Sequence, residues 1–255
     1  MIEFEKIIYL DVYKTGSTHV FDVLKKATGK RPQRVSRHSP LTEVHPWRWK
    51  NGKFVFATIR NPWDWYVSLW AFGTHEDKSF YQNVCDAAGE DMAGRLYDHA
   101  NPQVSFPLWL KSILDPDFIA RMKGKTLATS GMAEVMGVYS YRFMRITTPF
   151  PSILLRRWNI GSIDRAIAYQ KRWATYDAIY RSEQLDAALE RLISERGEAL
   201  GFRADALKFV RRGEKQRTNM STRTLSSYRD YYTDDLAELV RQRDRMIVDM
   251  FDYRF

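Results

Sequence analysis

The sequence predicts an α/β protein, a parallel sheet flanked by helices with ligands bound at the C-terminal ends of the strands. Three observations predict it. The stretch "IIYLDVYKTGSTHVFDVL", residues 7–24, passes from an apolar strand pattern through a polar turn into a helical pattern. "KFVFATI", residues 53–59, is a compact run of Phe, Val and Ile suited to a central parallel strand. That run ends at Arg60-Asn61-Pro62, and proline suits the first turn of a helix, so the strand–helix rhythm repeats.

Taken in order, residues 6–12 read as a strand, and 17–27 as a helix with Val20, Phe21 and Leu24 on one face. "RPQRVSRH" is a weaker strand with polar edges. The helix opened by Pro62 carries Val67, Trp70 and Ala71. From about 74 to 150, Pro102, Pro107, Pro116 and several glycines break the chain into short helices and loops, an irregular region suited to shaping an acceptor side. "YDAIYRSE", 176–183, reads as another strand, and Leu185, Leu189, Leu192 and Ile193 form a helical stripe ending near Gly197. "YYTDDLAELVRQRDRMIVDMF" reads as one helix with Thr233 as N-cap and two aspartates in its first turn, where the helix dipole favours them. Leu236, Leu239, Val240, Ile247, Met250 and Phe251 make its apolar face, a core stripe. No internal repeat interrupts this plan, and residues 1–255 are expected to form one domain.

With 44% hydrophobic and 28% charged residues, the chain is a folded globular protein with enough apolar surface for a sizeable core. The single cysteine, Cys85, excludes an internal disulfide and a zinc-finger framework, and fits a reducing cytoplasm. "MIEFEKIIYLDVYK" lacks the basic start and long apolar run of a signal peptide, and no apolar stretch approaches the roughly 20 residues of a membrane span. The expectation is therefore a cytoplasmic protein whose membrane contact is at most superficial. A formal charge of +9, with arginine clusters in "LLRRWN" and "VRRGEKQRTNMSTR", favours anionic partners: nucleotides, phosphorylated or sulfated small molecules, nucleic acid or acidic lipid.

Two motifs narrow this. The "KTGST" turn, Lys14 to Thr18, follows a strand and opens a helix, whose first amides lack intrahelical partners and attract anions. Gly16 lets the backbone approach a ligand, Lys14 adds a mobile charge, and Ser17 and Thr18 offer hydroxyl donors. The turn is not a Walker loop, because Lys14 precedes Gly16 and no glycine lies upstream; Mg²⁺-dependent NTP hydrolysis is disfavoured. In "FATIRNPWDWYVSLWAF", Arg60 ends a strand and Ser68 follows two helical turns later, a pair able to grip one phosphate. Two separate anion grips suit a ligand phosphorylated at both ends of its ribose.

With these motifs the chain resembles the sulfotransferases that use 3′-phosphoadenosine 5′-phosphosulfate (PAPS), in particular their carbohydrate and bacterial branch. "YKTGST" is similar to the family's 5′-phosphosulfate loop and "RNPWDWYVSL" to its 3′-phosphate motif, while "YRSEQL" and the closing "DYRF" match later signatures in the right order. The resemblance implies a sheet like that of P-loop NTPases and sulfuryl transfer from PAPS to a hydroxyl or amine, with a glycan or glycolipid favoured as acceptor. It implies that Lys14, Thr15, Gly16, Ser17 and Thr18 hold the 5′-phosphosulfate and that Arg60 and Ser68 hold the 3′-phosphate. Lys14 then faces the leaving oxygen, and His38, in a strand-plus-His-x-Pro arrangement, is the general base. Ser36 stands where many members have a lysine, with Arg37 or Arg34 as substitute, and Glu43 is the reserve base. Arg212 and Gly213, in a basic loop before the C-terminal helix, are further 3′-phosphate contacts, and Ser182 takes the place of an adenine-contacting tyrosine. No metal is implied. His19, His45, His75 and His99 have no motif context and are structural or surface residues. The alternatives are an atypical nucleotide or small-molecule kinase and a basic nucleic-acid-binding protein; no recognised nucleic-acid-binding motif supports the latter.

Overall fold

A computed structural model of the chain describes residues 1–44, 52–73, 78–122, 126–213 and 223–255, the side chains of 43, 44, 78, 79 and 211–213 excepted. The first elements are β1 (Ile2–Glu3), β2 (Ile7–Leu10), α1 (Ser17–Thr28), β3 (Arg34–Val35), α2 (Leu41–Val44) and β4 (Phe54–Ile59). A helical stretch follows: α3 (Pro62–Phe72), α4 (Lys78–Ala88), α5 (Glu90–Leu96), α6 (Pro102–Leu114), α7 (Pro116–Ala120), α8 (Thr126–Ser130), α9 (Val138–Thr147), α10 (Pro151–Leu154) and α11 (Ile163–Trp173). The chain ends with β5 (Ala178–Arg181), α12 (Leu185–Leu200), α13 (Leu207–Gly213), α14 (Asp234–Arg243) and α15 (Arg245–Met250).

The chain divides into two compact units, each drawing on three stretches of sequence. The first comprises Met1–Arg60, Arg145–Pro151 and Trp173–Met220, and the second comprises Asn61–Met144, Ser152–Arg172 and Ser221–Phe255. The first holds the sheet, in the order β3-β1-β2-β4-β5. β2, β4 and β5 are parallel, but β1 runs antiparallel to both β2 and β3, so the sheet is mixed rather than wholly parallel. Chain length gives the reason. Only Phe4, Glu5 and Lys6 join β1 to β2, and a parallel pair needs a crossover of a dozen or more residues. The α1 and α12 stripes meet the strands in one core, where Val20, Val23, Leu24, Leu185, Leu189 and Leu192 pack with Ile7, Tyr9 and Phe56.

The second unit is helical and its interior is aromatic. Helix α3 is buried over most of its circumference: Trp63, Trp65, Tyr66 and Trp70 are all inaccessible, which explains why its sequence shows no clear polar face. Asn61 caps it, its Oδ1 accepting from the Trp63 and Asp64 amides at 3.0 and 3.3 Å. Trp65 stacks on Tyr139 at 4.4 Å between centroids. The closing "DYRF" is packing: Tyr253 is buried, and the Phe255 ring lies 5.5 Å from Trp63 and 5.5 Å from Tyr232.

Two local expectations need correction, and a third holds with a qualification. Helix α12 runs through Gly197 to Leu200 and stops at Gly201, whose amide bonds the Gly197 and Glu198 carbonyls; a single helical glycine costs only about 1 kcal/mol, less than the stripe gains by continuing. The C-terminal helix breaks at the buried Asp244 into α14 and α15. Thr233 is the N-cap of α14 but makes no side-chain capping bond.

Candidate functional site

The site is built where β2 ends. Residues Asp11–Gly16 form a loop between β2 and α1, and Arg60 and Ser182 follow β4 and β5 at the same edge of the sheet, since the parallel register pairs Ile59 with Arg181. Beneath the loop runs a buried hydroxyl chain. Thr15 donates to the Val12 carbonyl at 2.7 Å, so its oxygen accepts from Thr58, 2.6 Å away, and Thr58 in turn accepts from Tyr9 at 2.7 Å. Burial pushes the Tyr9 phenol pKa above its usual range, which keeps the proton that this chain needs. Thr15 is thus committed through its hydroxyl to shaping the loop.

Two residues in this loop have left-handed backbone, Lys14 with φ 61° and Gly16 with φ 87°. A side chain on Gly16 meets a second obstacle, because a Cβ there falls 2.8 Å from Leu185 Cδ2. Gly16→Ala is therefore expected to lower stability by about 1–2 kcal/mol from the backbone alone, with Gly16→Val worse; urea unfolding of the two variants checks this. Gly16 is also the N-cap of α1. It offers no capping side chain, and the first turn of α1 holds no acid, so nothing on the helix competes for an anion at its amides.

Asp11 organises the rest. Its carboxylate is inaccessible to solvent and lies 2.7 Å from the Met1 ammonium and 3.0 Å from Arg37 Nε. It also accepts from the His38 amide at 3.0 Å. Burial lowers the Met1 amine pKa, and Asp11 opposes that shift. Arg37 reaches on to donate to Ser17 Oγ at 2.9 Å, which fixes that oxygen and leaves its O–H able to donate. Of the two proposed substitutes for the absent lysine, Arg37 is the one bound to the loop, and Arg34 lies on the exposed edge strand β3.

His38 has φ 56°, a second non-glycine residue of the site in left-handed backbone. Its Nδ1 lies 2.8 Å from the Asp11 carbonyl oxygen. A carbonyl can only accept, so Nδ1 carries the proton and the lone pair of the neutral ring is on Nε2. Tyr13 packs against the ring edge-on at 5.0 Å. Arg60 donates from Nη1 to the Lys14 carbonyl at 3.3 Å, tying the end of β4 to the loop. Arg37, His38 and Arg60 are thereby tied to the short segment that carries Lys14, through its backbone or through Asp11 and Ser17.

The remaining expected site residues lie as follows. Thr18 is half-buried in the first turn of α1, and Ser182, also half-buried, opens a 3₁₀ turn directly after β5. Ser68 is buried on α3 of the second unit. Arg212 and Gly213 belong to the last turn of α13 rather than to a loop, because the apolar stripe through Leu207 and Val210 carries the helix that far. Glu43 is on α2, with its side chain outside the described residues, as are His45 and His75. His19 pairs with Asp186 at 2.6 Å and His99 lies against Trp70 at 4.3 Å between rings, both structural placements. Among the described residues no group of His, Cys, Asp and Glu is arranged to hold a metal ion, and no helix is long and apolar enough to cross a membrane.

Sequence reasoning missed Asp11. Its one signal is an acid directly after a strand, Ile7–Leu10, in which every residue is buried, a position where a carboxylate persists only if it is paired.

Compared with family models, with curated proteins and with solved structures, the chain has no match. What the structure itself defines is an α/β protein with a mixed five-stranded sheet and many helices.

Proposed function

We propose that the protein is a sulfotransferase that moves the sulfuryl group of PAPS to a hydroxyl or amine of an acceptor. One observation carries this reading: Arg37, Arg60 and His38 are each bonded to the Lys14-bearing loop that opens α1 or to its first residue, so two guanidinium groups and one imidazole with a defined tautomer lie beside a helix N-terminus that no side chain caps. The fit to an anionic donor rests on the absence of an acid in the first turn and on the glycine that Leu185 and the backbone both require.

In this reading Lys14 and the amides from Thr15 to Thr18 hold the 5′-phosphosulfate, and Arg60 holds the 3′-phosphate. The donor supplies a sulfuryl group on a phosphate leaving group. His38 keeps its Nδ1 proton on the Asp11 carbonyl and takes the acceptor proton at Nε2. Lys14 neutralises charge on the departing phosphate, and Arg37, fixed by Asp11, adds a second cation beside the loop. His38 thereby needs no metal to activate the acceptor.

The test is thermal shift with 3′,5′-ADP in EDTA against Mg·ATP. The expected result is stabilisation by 3′,5′-ADP alone, about 2.7 kcal/mol at a hundredfold excess over Kd. Arg60→Ala is expected to weaken that binding by about 1.5–3 kcal/mol, the worth of a charge-assisted hydrogen bond. Stabilisation by Mg·ATP alone overturns the donor assignment in favour of a kinase. Transfer from labelled PAPS into fractionated acceptor pools then identifies the acceptor.

A further inference from the structure

The second unit carries an exposed apolar pair that none of this uses. Ile153, on α10, is 69% exposed, and Trp158, in the turn after it, is 75% exposed. Single exposed apolar residues are ordinary, but these two are displayed by a short segment tied down at several points. Leu155 and Ile160 are buried beneath it. The Arg156 amide donates to Leu154 at 2.9 Å, the Arg157 amide to Ser130 at 3.0 Å, and the Ile160 amide to Arg156 at 2.9 Å. Asn159 reaches back to the Ile153 and Leu154 carbonyls at 3.3 and 3.4 Å, so the two ends of the segment are neighbours. The backbone is braced while its largest apolar side chains face water.

The charges beside them are positive. The Arg156 guanidinium lies 5.7 Å from the Trp158 ring centroid and donates to the Thr129 carbonyl at 3.3 Å. Arg157 pairs with Glu134 at 2.9 Å, an ion pair more than half exposed on both sides and therefore easily exchanged. An indole and an aliphatic side chain flanked by arginines match the interface of an anionic bilayer, where tryptophan settles at headgroup depth and guanidinium groups meet phosphates. The formal charge of +9 adds long-range attraction to such a surface. A sugar platform makes use of Trp158 and the arginines but gives no role to Ile153.

We propose that Ile153 and Trp158, with Arg156 and Arg157, form a wedge that docks this protein on anionic phospholipid membranes. The test is co-sedimentation of the whole protein with phosphatidylcholine vesicles and with mixed phosphatidylcholine–phosphatidylglycerol vesicles. The expected result is binding to the mixed vesicles only, weakened at least about tenfold in Ile153→Ser/Trp158→Ser, as loss of the inserted apolar surface requires. Unchanged thermal unfolding of that variant excludes misfolding as the cause, and Arg156→Gln/Arg157→Gln is expected to weaken binding without altering unfolding. Retained vesicle binding by the apolar variant overturns the proposal. So does binding to heparin but not to vesicles, or a dimer in solution that the same variant dissociates. None of these outcomes depends on the donor or on transfer activity.

Discussion

On the proposed sulfotransferase reading, His38→Asn is expected to lower turnover with PAPS by about 10²–10⁴-fold, the usual contribution of a positioned general base, while leaving 3′,5′-ADP stabilisation unchanged. Asparagine is the informative substitute because of the backbone. His38 has φ 56°, a conformation that asparagine adopts far more readily than most residues, so the turn after β3 survives the change. Its amide still donates to Asp11 Oδ1, since that bond is made by the main chain. What disappears is the basic nitrogen opposite the Nδ1 proton. His38→Ala makes the same chemical deletion at a further backbone cost of about 1–2 kcal/mol, so a comparable loss in both variants assigns the effect to the imidazole. Wild-type turnover in either variant overturns the base assignment and turns attention to Glu43. Asp11→Asn, by contrast, is expected to disturb both Arg37 and the His38 turn, and so to weaken nucleotide binding and turnover together.

The parts of this architecture legible in the sequence are those set by local pattern. The strand–turn–helix from Ile7 to Thr28 and the strand before Arg60 are read from apolar runs, a proline and a glycine, and the structure bears them out. Long-range chemistry was not legible. Asp11 acquires its meaning only when Met1, Arg37 and His38 are brought to it from elsewhere in the chain, and no spacing rule announces that. The antiparallel β1 escaped because it has two residues, too few for any periodicity. Arg212 and Gly213 looked like loop because charge and glycine outweighed the apolar positions Leu207 and Val210 that extend α13 to them. The break at Asp244 escaped for a similar reason, since the apolar stripe runs on across it.

Asp244→Ala is expected to destabilise the protein by about 3 kcal/mol, because a buried hydrogen-bonding group left without its partner costs roughly 1–3 kcal/mol and this change strands two. Asp244 is inaccessible between α14 and α15 and accepts from the Tyr66 hydroxyl and from the Ser140 amide, the latter at 2.7 Å. Burial and the neighbouring carboxylate hold Tyr66 well above the usual phenol range, so it remains a donor. Gly137 completes the fit: a Cβ there falls 2.5 Å from Asp244 Oδ2, and the Gly137 amide donates to the Arg243 carbonyl at 2.6 Å. Gly137→Ala is therefore expected to disrupt the same site by pressing on the carboxylate rather than removing it. The pH dependence has a definite sign. Desolvation raises the Asp244 pKa above its ordinary 3.8 despite the opposing hydrogen bonds, so the folded protein holds this proton more tightly than the unfolded chain. The stability Asp244 contributes is then greatest below pH 3.8 and falls as pH rises through the raised value. Urea unfolding across that range should show wild type losing stability relative to the permanently neutral Asp244→Asn as pH increases. Wild type gaining on that variant as pH increases means that the carboxylate is bound in its charged form, with Tyr66 and Ser140 outweighing its burial.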